Sequence, residues 1–181
     1  MTVLLTASLV FKGLAILLLG RIAWTDFSTQ RISNRDVLLL LCLGLGALQF
    51  QALQTHSWLE MGISAFGGVA LFLALFPFWL LRKIGAGDVK LMSVTPFLVG
   101  GSNLAVFSVF LLVFAIATAA LVKNPFLLPA GMFRHYVQHM DRNGVVPFGV
   151  PISMAAICAI VLQMYHALVV ATSSGILEQL N

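Results

Sequence analysis

Charged side chains are what this chain has least of. Asp, Glu, Lys and Arg make up only 9% of its 181 residues, against roughly a quarter in soluble globular proteins. That shortage excludes disordered, coiled-coil and basic nucleic-acid-binding classes, and no nucleic-acid partner is expected. Cysteine is almost as scarce. Cys42 and Cys158 each lie singly inside apolar runs, and no CxxC pair occurs. A disulfide framework and a structural zinc site are therefore not expected. Repeats, low-complexity stretches and linkers are also missing, so residues 1–181 read as a single domain.

What the chain has in quantity is apolar sequence. Hydrophobic residues reach 60%, and the mean hydropathy is +1.03. A helix needs about 20 apolar residues to cross a bilayer. Such runs appear at Val3–Trp24, Val37–Leu53, Ile63–Leu81, Leu104–Val122 and Val150–Val170, with a shorter one at Val89–Gly101. They are continuous rather than alternating, which favours helices over a barrel. The expected fold class is all-α, a polytopic membrane protein of about six transmembrane helices. The N-terminal run lacks the basic flank and small-residue cleavage site of a signal peptide.

The positions of the basic residues predict an orientation. Arg21, Arg31 and Arg35 cluster at the connection of the first and second runs, Arg21 in the last turn of the first, and Arg82, Lys83 and Lys90 at that of the third and fourth, Lys90 as the second residue of the fourth. Lys123, Arg134 and Arg142 lie between the fifth and sixth, while the alternate connections carry neither Lys nor Arg. By the positive-inside rule the basic connections face the cytoplasm, and the N-terminus and C-terminus lie outside. Lys12 alone falls in the interior of a run, away from its ends.

Two of the six acidic residues stand at unusual places. Asp26 follows the first run, and Asp88 closes Gly85-Ala86-Gly87-Asp88 before the short fourth one. The expected topology brings both to one membrane face. Two close carboxylates cannot both ionise cheaply, so one keeps a proton while the other stays charged. The charged one can deprotonate water and the protonated one can donate to a carbonyl, which is general acid–base hydrolysis without metal. Gly85 and Gly87 would let backbone approach an extended substrate. The bland alternative is that Asp88 caps its helix and Asp26 simply ends a span.

The sequence Gly85-Ala86-Gly87-Asp88-Val89-Lys90-Leu91 matches the GxGDxKL signature of type IV prepilin leader peptidases, membrane aspartic proteases of the GxGD kind. Their first motif is similar to Asp26-Phe27-Ser28-Thr29-Gln30-Arg31-Ile32-Ser33-Asn34, with Asp, Ile and Asn in register. A third element resembles Pro147-Phe148-Gly149-Val150-Pro151. The resemblance implies that Asp26 and Asp88 are catalytic, with Gly85, Gly87, Lys90, Asn34, Pro147 and Gly149 supporting them. It implies no cofactor, and a prepilin substrate consisting of a polar leader and a hydrophobic helix lying in the bilayer. It also implies the bacterial inner membrane, with the site at its cytoplasmic face.

Ser28 stands where the family usually has Arg, and Ser33 where it usually has Pro. Without paired CxxC motifs the chain resembles the short, TadV/CpaA-like form found with Flp (tight-adherence) pili, for which cleavage without N-methylation is expected. An intramembrane-cleaving GxGD protease and a small proton-coupled membrane protein are the competing readings. Lys90 could steer the acids or a substrate charge, or simply snorkel to the interface. Asp36 reads as the N-cap of the second span, and Gly67-Gly68 as a close helix contact. His135 and His139 lack a third ligand and read as interfacial side chains.

Overall fold

The computed structural model describes residues 2–123 and 148–180, with side chains from Val3 to Lys123 and from Phe148 to Ser173. Among them all regular structure is helical. The order is α1 (Thr2–Thr29), α2 (Asn34–Thr55), α3 (Leu59–Leu80), α4 (Ala86–Val99), a 3-10 turn (Gly101–Asn103), α5 (Leu104–Lys123) and α6 (Gly149–Leu180). Every helix but α4 is long and apolar enough to cross a bilayer. The chain is an all-α polytopic membrane protein. Pro147, His135, His139, Arg134 and Arg142 lie outside the described residues.

The packing is that of a protein dissolved in lipid. Large apolar side chains such as Phe66, Leu73, Val109 and Leu112 point outward, while the centre is filled by Ala15, Leu19, Ile22, Leu40, Leu91, Ala155, Ala156 and Ile160. Lipid tails are as apolar as leucine, so close packing rather than water exclusion holds such helices together. That explains the small residues in the middle.

The short helix α4 lies at this centre, against α2, α3 and α6. Its 14 residues rise only about 21 Å, less than the roughly 30 Å hydrocarbon core, and seven of its residues are buried. Two glycines let it in. A Cβ at Gly44 of α2 would come within 2.8 Å of the Phe97 carbonyl oxygen, and one at Gly68 of α3 within 2.7 Å of the Ser93 carbonyl oxygen. Gly68 thus makes the close contact that its sequence suggested. The far end of α4 returns to the start of α3, where the Gly101 N–H donates to Ser64 Oγ (2.8 Å) and the Ser102 N–H to Glu60 Oε1 (2.9 Å). Asp88, at the other end of α4, is thereby set at the opposite end of the bundle from Glu60.

Two local details differ from the sequence reading. Helix α1 does not stop before Asp26 but runs one turn past it. The hydroxyls of Ser28 and Thr29 bond back to the carbonyls of Trp24 and Thr25 (2.8 Å each), so polar residues continue the helix. It ends at Gln30, whose φ of 53° lies in the left-handed region and whose N–H donates to the Asp26 carbonyl. Second, Asp36 is not the N-cap of α2. Ser33 takes that place, its hydroxyl accepting the Arg35 N–H at 3.2 Å, a cap worth about 1 kcal/mol. The buried Asp36 pairs instead with Arg21 at 3.7 Å.

Candidate active site

Asp26 lies in the last turn of α1 and is only 5% exposed. The start of α6 is pressed against it. A Cβ on Gly149 would stand 2.7 Å from both Cγ and Oδ2 of Asp26, so only glycine fits there. The N–H groups of Gly149 and Val150, donors that the first turn of a helix leaves without helical partners, are directed at the carboxylate. They give it the favourable end of the α6 dipole. Oδ2 is buried and receives no hydrogen bond from the described residues.

Asp88 lies in the first turn of α4, whose N-cap is Gly85. Its carboxylate accepts the Gly85 N–H, the reach-back contact of a capping box, and a Cβ on Gly85 would fall 3.0 Å from Oδ2. The capping role that sequence suggested is therefore present. It does not exhaust the residue, because burial and then the negative charge of Asp26 push the Asp88 carboxyl up to about 6. The Asp26 charge thus acts on Asp88. The helix start and the charged neighbour pull in opposite directions, and desolvation plus the neighbour win.

One residue ties the three motifs together. A Cβ on Gly87 would meet Ile32 Cβ at 3.0 Å, and one on Gly149 would meet Ile32 Cδ1 at 2.9 Å. Ile32 therefore fills the gap between the starts of α4 and α6 and abuts both acid-bearing segments. In the sequence Ile32 is distinguished only as a position that matches the first motif. Its signal was an apolar residue stranded in a polar turn.

At the rim, Lys90 Nζ donates to Asn34 Oδ1 at 2.9 Å. Each is the last polar residue of its motif, so this bond clamps the start of α2 to the first turns of α4. Of the expected site residues, Asp26, Asp88, Gly85, Gly87 and Gly149 come together at one end of the bundle. Asn34 and Lys90 form the clamp beside them, and Pro147 lies outside the described residues.

A model of the type IV leader peptidase family matches residues 13–122. The chain belongs to the type IV leader peptidase family. The matched stretch carries Asp26, Asp88 and the Asn34–Lys90 clamp, whereas Gly149 lies beyond it. No curated protein and no solved structure matches the chain. As a leader peptidase the protein is a prepilin-type protease by family and a multi-pass membrane protein by fold.

Proposed function

We propose that the protein is an aspartic endopeptidase that removes the short cytoplasmic leader from prepilins, with Asp26 and Asp88 as its catalytic pair. The observation that supports this reading is the convergence of the two motif carboxylates at one site. Asp88 is held above the usual carboxylate range beside the charge of Asp26. In the resting pair Asp88 carries the shared proton and Asp26 is ionised, facing the α6 N–H groups. Asp26 takes a proton from water as the water oxygen bonds to the scissile carbonyl carbon, and Asp88 gives its proton to the carbonyl oxygen. The resulting diol collapses, the C–N bond breaks, and the leaving amine takes the proton from Asp26. One diol hydroxyl returns its proton to Asp88 as the new carboxyl group forms.

The nine basic residues at the first, third and fifth connections support a reading in which this end of the bundle faces the cytoplasm from a bacterial inner membrane,. A substrate with a polar leader and a hydrophobic helix would then present its junction at the depth of the acids. Cleavage proceeds without metal and without N-methylation, as in the short form associated with tight-adherence pili.

The test is cleavage of a prepilin by purified protein in detergent, where coupled transport is impossible. Asp26→Asn and Asp88→Asn should each lower the rate by about a thousandfold or more while the protein still inserts and folds. Full processing by either variant would reject the pair.

A further inference from the structure

The end of the bundle opposite the aspartates contains a cavity of about 520 Å³, within the range of small-ligand sites. All six helices contribute to it. Much of its wall is apolar, including Leu5, Leu48, Leu98 and Leu162, but it also holds Lys12, Gln51, Glu60, Gln163 and His166. The proposed chemistry at the other end uses none of these.

Lys12 lies well inside the first apolar run, in the interior of α1, where a charge is expensive unless it has a purpose or a partner,. Its Nζ donates to Gln163 Oε1 at 3.0 Å, and Gln163 Nε2 in turn donates to the Val99 carbonyl. One of three ammonium protons is thus used, by a residue that is itself held. Glu60 is equally fixed, its Oε1 accepting the N–H (2.9 Å) and hydroxyl (3.0 Å) of Ser102. The two charges act on each other yet do not touch. Among the described residues the one ion pair within 4.0 Å is Arg21–Asp36. A fixed cation and a fixed anion therefore share one cavity without neutralising each other by contact.

Their depths differ in order. Glu60 is the second residue of α3, at the end of a helix long and apolar enough to cross a bilayer, whereas Lys12 lies in the interior of α1. A ligand that satisfies both needs an anionic group on the deep side and a cationic donor nearer water, with an apolar body. We propose that the cavity binds a membrane phospholipid with a primary-amine headgroup, its phosphate at Lys12 and its ammonium at Glu60. A purely anionic headgroup would face the Glu60 carboxylate unpaired. A trimethylammonium headgroup has no N–H to give it.

The test is native mass spectrometry and thermal melting of the purified full chain, stripped of lipid and offered phosphatidylethanolamine, phosphatidylcholine or phosphatidylglycerol. Phosphatidylethanolamine should be retained and should raise Tm more than the other two. Lys12→Met and Glu60→Gln should each weaken its retention about tenfold or more, while the control Lys83→Met, at the opposite end, leaves it unchanged. If Lys12→Met fails to insert, Glu60→Gln carries the same expectation. Equal retention of the three lipids, or wild-type preference in the variants, would overturn the proposal. So would displacement of the lipid by soluble glycerophosphoethanolamine, which would assign the cavity to a free headgroup compound.

Discussion

Replacing Gly149 with alanine isolates the contact on which the site depends. The added Cβ would lie 2.7 Å from Asp26 Cγ and Oδ2 and 2.9 Å from Ile32 Cδ1. Carbon atoms rest at about 3.5 Å or more, so the carboxylate or the start of α6 must retreat by roughly 0.8 Å. Asp26 has little room for that, being 5% exposed and short. Overpacking of this kind costs about 1–3 kcal/mol in stability, a modest loss of Tm. The effect on rate is larger, because a displacement near 1 Å at a reacting group can cost about a hundredfold. Gly149→Ala should therefore lower kcat for prepilin cleavage about a hundredfold while the protein still inserts and melts cooperatively.

Two comparisons make the result decisive. Gly20→Ala on α1 meets nothing within 4 Å and should leave kcat unchanged, since the helix gains a better former,. Gly85→Ala meets only Asp88, at 3.0 Å from Oδ2 and 3.7 Å from Cγ, on a side chain more open than Asp26. It should fall between, near tenfold by the same positional argument. Steady-state cleavage and thermal melting of the three variants constitute the assay. A wild-type kcat in Gly149→Ala would refute the placement of Asp26 in the reacting geometry. Equal losses in all three would mean that the effect is generic to helix glycines.

The remaining expectations concern charge and partners. Asp88 titrates near 6 because burial and Asp26 raise it, so kcat/KM should fall on the alkaline side as Asp88 loses its proton and on the acid side as Asp26 gains one, giving a bell. Removing one of the two causes in Asp26→Asn should move the Asp88 titration down, as read by infrared or carboxyl-carbon NMR; an unmoved titration would separate the two acids. The native state binds more protons than the unfolded chain between the ordinary carboxylate value of 3.8 and about 6, so stability falls as pH rises through that window. Asp88→Asn should accordingly melt higher than the parent above pH 6 and equally below 3.8. Asn34→Ala and Lys90→Met should each slow cleavage, and the double variant no further, since both break the same bond,. Chelators such as EDTA should leave the rate unchanged.

Much of this fold could be read from the chain because lipid imposes one rule on it. Backbone groups must be satisfied within each helix, so every run of sufficient apolar length became a helix in the expected order. Even the short run at Val89–Gly101 became α4, shifted a few residues earlier because Gly85 and Asp88 form its cap. The ends were harder to place, since they depend on hydroxyls. Ser28 and Thr29 extend α1 through backbone acceptors, and Ser33, standing in for proline, displaces Asp36 from the cap. The acids themselves were legible as scarce charges at helix ends. The groups that hold them were not. That Gly149 presses on Asp26, that Ile32 separates the starts of α4 and α6, and that Lys90 bonds Asn34 are contacts between distant segments, which no spacing along the chain encodes.

The arrangement also accounts for why the fourth helix is short. A full-length span there would either carry Asp88 away from Ile32 or force its far end past the Glu60–Ser102 turn. With 14 residues, α4 is fixed just past its far end by the bonds of Gly101 and Ser102 to Ser64 and Glu60, and its start meets Ile32, which also abuts Gly149 beside Asp26. Its depth is then set by two backbone contacts, Gly44 on Phe97 and Gly68 on Ser93, both too close for any side chain. A helix gripped in this way cannot slide, because a one-residue shift would turn its buried face by about 100 degrees and lift Asp88 by about 1.5 Å. The glycines of α2 and α3, which belong to neither motif, thus hold α4 in register and with it the Asp88 carboxylate at its start.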